Sequence, residues 1–160
     1  MPSETYAPRP WPCGSLLLGF DRRDAELLGH ELHLATGLLE VRFLVRGKPE
    51  TLQLFTELGA DRLWLRMADA RGRSIAAPFL RVTLTPQKGL PAEQGQHDHT
   101  ITFRQVLPSL ATDRGADRAV QVSCRMSGKI VEPPVKQPYQ LSPDNLKGKG
   151  RFFGCVQLVH

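Results

Sequence analysis

Cysteine is scarce in this chain and poorly spaced for chemistry. Cys13, Cys124 and Cys155 form an odd set with wide separations, which excludes a zinc-finger spacing and a Cys-x-x-Cys redox pair. Buried, reduced thiols are the expectation. Cys124 and Cys155 both fall in expected strands, so they are candidates for cross-strand neighbours. Long apolar runs are missing as well. None approaches the roughly 18–20 residues that span a bilayer. Leu16-Leu17-Leu18, between Pro12 and Gly19, is too short for a signal-peptide core. A cytoplasmic protein with no membrane association is expected. The sequence also contains no Gly-x-Ser-x-Gly turn, no Gly-rich phosphate loop and no Cys/His pair in a known local context. No cofactor is expected.

Acidic residues are in short supply only in the second half. Residues 1–80 carry 10 basic and 10 acidic side chains, whereas residues 81–160 carry 11 and 6, so the second half holds the entire net charge of +5. Such asymmetry permits an acidic partner without demanding one. The remaining composition, 41% hydrophobic and 23% charged, is that of an ordinary globular chain long enough to enclose a core.

Two-residue periodicity dominates what is present. Residues 1–14, with Pro2, Pro8, Pro10 and Pro12, read as an extended arm, and residues 15–160 as one domain. Leu16 to Phe20 forms a short first strand. From Asp21 the spacing of Ala25, Leu28, Leu32, Ala35 and Leu39, behind Asp21 as a cap, favours a helix over Asp21–Ala35. Gly29 and Gly37 argue for a strand instead.

Beyond Leu38 the alternation is clear. Leu39, Val41, Phe43 and Val45 face one way; then come Leu52–Phe55, Leu63–Met67 and Phe79–Thr85, which together read as a four-strand meander. Lys88–His97 reads as a polar loop, and Thr100–Leu107 and Ala119–Met126 as strands. Prolines confine residues 132–146 to loop or edge. Arg151–Val159, apolar on both faces, reads as a central strand. Phe43, Leu65, Val82, Phe103, Val122 and Val156 are the expected core. The expected fold is mainly β, a single-domain antiparallel sandwich or partly open barrel of seven or eight strands with at most one short helix.

Functional signals are diffuse. Trp64, flanked on its own strand face by Arg62 and Arg66, combines two residue types enriched in binding hot spots. Arg71 and Arg73 around Gly72 place guanidinium groups and backbone amides at a loop tip suited to an anion, or simply to solvent. Lys147, Lys149 and Arg151, followed by Phe152 and Phe153, mix cations and aromatics as single-stranded nucleic-acid binders do. His97 and His99 lie two apart, so an extended chain sets both imidazoles on one side as two metal ligands. The cupin pattern would require a glutamate shortly after and a further histidine, which Thr100 to Arg104 do not supply. His30 and His33 are too close for the zinc-protease His-Glu-x-x-His pattern and share a face only on a helix.

The leading expectation is a non-enzymatic binding or assembly module for a protein or small ligand, with homo-oligomerisation open. A nucleic-acid-binding domain using residues 118–151 is the alternative. A metal-dependent enzyme using His97 and His99 comes third.

Overall fold

The structure is a computed structural model describing residues 14–79, 81–97, 100–106, 119–126, 128–131, 140–143 and 153–159. The regular structure of these residues consists of strands in two antiparallel sheets, with no helix among the described residues. The smaller sheet runs in the order β1 (Ser15–Gly19), β6 (Arg81–Thr85), β11 (Gln140–Pro143), β10 (Gly128–Val131). The larger, of eight strands, runs β2 (Ala25–His33), β3 (Leu38–Val45), β4 (Lys48–Thr56), β5 (Arg62–Asp69), β12 (Phe153–Val159), β9 (Ala119–Met126), β8 (Thr100–Val106), β7 (Ala92–His97). The fold is mainly β and sandwich-like, and the large sheet does not close into a barrel.

The core lies between the sheets, filled by the inward residues of both. Val82 and Leu84 of β6 are buried, and Leu16 and Leu18 of β1 pack beside them. Phe43, Leu65, Met67, Ile101, Phe103, Val122 and Cys124 enter from the large sheet. Five of the expected core positions (Phe43, Leu65, Val82, Phe103, Val122) are buried, and Val156 packs against them. Phe20 stacks on Phe43 at 4.7 Å and meets Phe79 edge-on at 4.8 Å, an aromatic cluster at one end of the core.

Twelve strands are present among the described residues where seven or eight were expected, and β11, in a stretch expected as loop or edge, is paired on both sides; three further expectations are corrected. The first concerns residues 21–35, which form a turn and a strand instead of a helix. The amides of Asp24 and Ala25 both donate to Asp21 O, and Asp21 Oδ1 accepts from Arg23 N. That single turn is all that remains of the expected N-cap, because β2 begins at Ala25. Gly29 sits at φ 153°, a conformation foreign to a helix. The apolar spacing misled because Leu28 and Leu32 are more than half exposed and mark no buried face.

The second correction is to the meander, which consists of β2 to β5 and loses its expected fourth strand. After β5 the chain turns back, with Ser74 bridging Ala68 and Ile75 N donating to Met67 O. Ala77 and Phe79 then sink into the core, carrying β6 across to the other sheet. β12 takes the place beside β5. It also pairs with β9, so the central position expected of the last strand is observed.

Third, Ala92–His97 is strand β7 and not a loop, paired with β8 at one edge of the large sheet.

Candidate binding face

Strand β5 separates its side chains as alternation dictates. Leu65 and Met67 are buried and Leu63 packs on the core, so Arg62, Trp64 and Arg66 emerge together on the outer face of the large sheet, each half-buried. Cross-strand register builds a row around the indole, with Phe55, Trp64, Cys155, Arg125 and Thr100 lying side by side on five adjacent strands. Phe55 is 44% exposed. Arg125 is exposed as well, as is Arg104 on the same face of β8.

Hydrogen bonds hold this face in place. Trp64 Nε1 donates to Glu57 Oε2 at 3.0 Å, and the same oxygen lies 3.5 Å from the Arg62 guanidinium. Arg66 Nε donates to Gln53 Oε1 at 2.6 Å, Gln53 Nε2 donates to Glu40 Oε1 at 2.5 Å, and Glu40 Oε2 lies 3.3 Å from His33 Nε2. The relay crosses β5, β4, β3 and β2. The bond from Gln53, with a smaller contribution from His33, holds the Glu40 carboxyl below its ordinary range against the opposing effect of burial. Side chains tied down before a partner arrives lose less entropy on binding. The chemistry offered is a stacking surface beside fixed cations.

The remaining candidates are dispersed. At the tip after β5, Asp69 Oδ1 accepts from Arg71 N at 2.9 Å and Arg73 N at 3.0 Å, while Asp69 Oδ2 accepts from Arg73 Nε at 2.8 Å. The Arg73 side chain, with these amides, keeps the Asp69 carboxyl below its usual range. An incoming anion would compete with Asp69 for the same donors. His97 stands on β7 opposite Thr100, and His99 lies outside the described residues, as do Lys147, Lys149 and Arg151. His30 and His33 lie on opposite faces of β2, directly opposite Val41 and Leu38 of β3 respectively. Among the described residues no three His, Cys, Asp or Glu side chains gather as a metal site.

Cys124 and Cys155 occupy neighbouring strands but opposite faces, and both are free thiols. Cys124 is fully buried, and burial pushes its thiol up to about 12.

Two features escaped sequence reasoning. Phe55 was readable, since Leu52 and Leu54 face inward and the alternation sends Phe55 outward like Trp64. The second is a cavity of about 430 Å³ between the sheets, walled by Leu16, Leu63, Leu84, Val122 and Val156, with Ser15, Thr56 and Asp61 among its polar lining. Its walls come from strands remote in sequence, so no local pattern announces it. No protein-family model matches the chain, and no curated protein is significantly similar to it.

Proposed function

We propose that this chain is a non-enzymatic binding module of the cytoplasm that engages a protein partner through the outer face of its large sheet. The observation that carries the reading is the Phe55–Trp64 pair, an aromatic surface beside Arg62, Arg66 and Arg125, with Trp64, Arg62 and Arg66 held by hydrogen bonds or an ion pair. Large aromatics and arginines on a preorganised surface are the residues that dominate binding energy. The test is affinity capture from the source cells, comparing the wild type with a Phe55→Ser, Trp64→Ala double variant. A protein retained by the wild type and lost by a folded double variant supports the reading. Equal retention by both overturns it.

A second reading has its own observation. The intersheet cavity is within the size range of small-molecule sites and is mostly apolar, which favours a small apolar ligand. Displacement of an environment-sensitive dye from the wild type, but not from Leu84→Trp, is the outcome that supports this reading. Exposed Arg104 and Arg125 give limited support to the nucleic-acid alternative. Binding that is absent even at low salt removes it, because phosphate contacts strengthen steeply as salt falls.

A further inference from the structure

The two edges of the eight-stranded sheet differ sharply. Edge strand β7 is polar, with Glu93, Gln94, Gln96 and His97 exposed. Edge strand β2 carries Leu27, Leu28 and Leu32, which are 62%, 54% and 54% exposed, and Leu34 just beyond it is 87% exposed. A long edge with apolar side chains and unpaired backbone groups is a template for another strand. We propose that β2 pairs antiparallel with β2 of a second copy of this chain, about a twofold axis through His30.

The register follows from which way each residue faces. The bulge at Leu28 resets the alternation, so Ala25, Leu27, His30 and Leu32 share the inner face while Glu26, Gly29, Glu31 and His33 share the outer one. Centring on His30 sets Leu27 against Leu32 of the second copy and Glu26 against His33 of the second copy. Symmetry makes each contact occur twice. Gly29 then stands opposite Glu31 of the second copy, and its far neighbour on β3 is Arg42. Among the described residues nothing lies within 4 Å of a Cβ built on Gly29. Two strand spacings, about 10 Å, separate that glutamate from Arg42, a gap their two side chains can close over the glycine. Arg42 is exposed on this face.

Neighbouring registers are penalised. Sliding the pairing by one step in each strand, with faces preserved, sets Glu26 against Glu31 in one direction and Glu31 against its own copy in the other. Like charges directly opposite are unfavourable. A slip that exchanges the faces would set Leu27 and Leu32 opposite Glu31 and Glu26 in one direction, and opposite His33 and Gly29 in the other, so the leucines lose each other either way. The self-complementary register is therefore the one centred on His30. This inference is independent of the Trp64 face, which lies on a central strand and remains free in the pair.

Light scattering and sedimentation of the full chain, at mildly alkaline pH, are expected to show a concentration-dependent dimer. Leu32→Lys should weaken it by more than about tenfold, since the lysine is met twice per dimer. At dilutions where the wild type is monomeric, the melting temperatures of the two should agree, because Leu32 is exposed. In a Cys13→Ser, Cys155→Ser background, His30→Cys should oxidise rapidly to a disulfide-linked dimer, because directly opposed residues of an antiparallel pair have Cα atoms within disulfide reach. Glu31→Cys faces Gly29 and should not. A monomer at every concentration overturns the proposal. So does a dimer that survives Leu32→Lys, or cross-linking through Glu31→Cys but not His30→Cys.

Discussion

The side-chain amide of Gln105 pairs with the backbone of Gln87 through both of its polar atoms. Gln105 Nε2 donates to Gln87 O at 2.8 Å, and Gln105 Oε1 accepts from Gln87 N at 3.1 Å. Gln105 is on β8 of the large sheet and is 1% exposed; Gln87 follows β6 of the small sheet. A buried side chain thus imitates a strand partner and links the two layers where the ladder of β6 has ended.

Replacing Gln105 by Ala should therefore cost more than a surface change. It leaves the amide and carbonyl of Gln87 without their partner and opens a void beside the core. Each unsatisfied group costs roughly 1–3 kcal/mol, so a total of about 3 kcal/mol is expected from urea denaturation. A loss below about 1 kcal/mol would mean that water replaces the amide without penalty.

Alternation made most of the architecture readable in advance. Leu63, Leu65 and Met67 against Arg62, Trp64 and Arg66 specified both the strand and its facing, and the structure agrees. Where a strand has no covered face, that signal vanishes. In β7, Ala92, Glu93, Gln94, Gln96 and His97 are all exposed, so no apolar period marks it. In β2 the bulge at Leu28 breaks the period and the leucines imitate a helix. The binding face was half-legible. Trp64 and its arginines were evident from one strand, but the Glu40–Gln53–Arg66 relay depends on register between three strands.

Acid should destabilise the fold. Asp21 is held at about 2 instead of the usual 3.8, chiefly by the Arg23 side chain, and Glu40 and Asp69 are lowered by Gln53 and Arg73. A carboxyl with a depressed folded pKa contributes stability that is complete above its unfolded pKa and is lost as pH falls through the folded one. The melting temperature should thus hold down to the ordinary carboxyl range and decline from there toward about 2. Because these carboxyls are only half-buried and the arginines beside Asp21 and Asp69 are exposed, the decline should be shallow and should flatten further in high salt. A melting temperature that rises on acidification would contradict this assignment.

Glu50 is the opposite case. It sits on the inward face of β4, opposite Phe43, with Oε2 buried and without a hydrogen-bond partner among the described residues, and burial raises its carboxyl above the usual range. A raised folded pKa means that the protonated form is the one the fold prefers. Glu50→Gln, a neutral mimic of that form, should raise stability at neutral pH. The advantage over wild type should shrink as pH falls and the native carboxyl takes up its proton. An advantage that is constant with pH would show that charge is not the cause.

The β3–β4 hairpin turns on Arg46 and Gly47, at φ 48° and 76°. Both conformations are left-handed, as a two-residue primed turn between Val45 and Lys48 requires. Gly47 adopts this freely, but an arginine does not. Asp24 compensates. Arg46 N donates to Asp24 O at 2.7 Å, and the guanidinium donates to Asp24 Oδ2 at 3.0 and 2.6 Å. The first turn after β1 is thereby fastened to the hairpin. Arg46→Ala keeps the unfavourable backbone and loses the anchor, so its melting temperature should fall. Arg46→Gly loses the same anchor but removes the strain, and should fall less. Asp24→Ala should resemble Arg46→Ala, and the double variant should add little to either, because the two changes remove one interaction. Thermal melts of the four proteins decide it. If Arg46→Gly proves as damaging as Arg46→Ala, the backbone at Arg46 carries no strain and the side-chain anchor alone accounts for the residue.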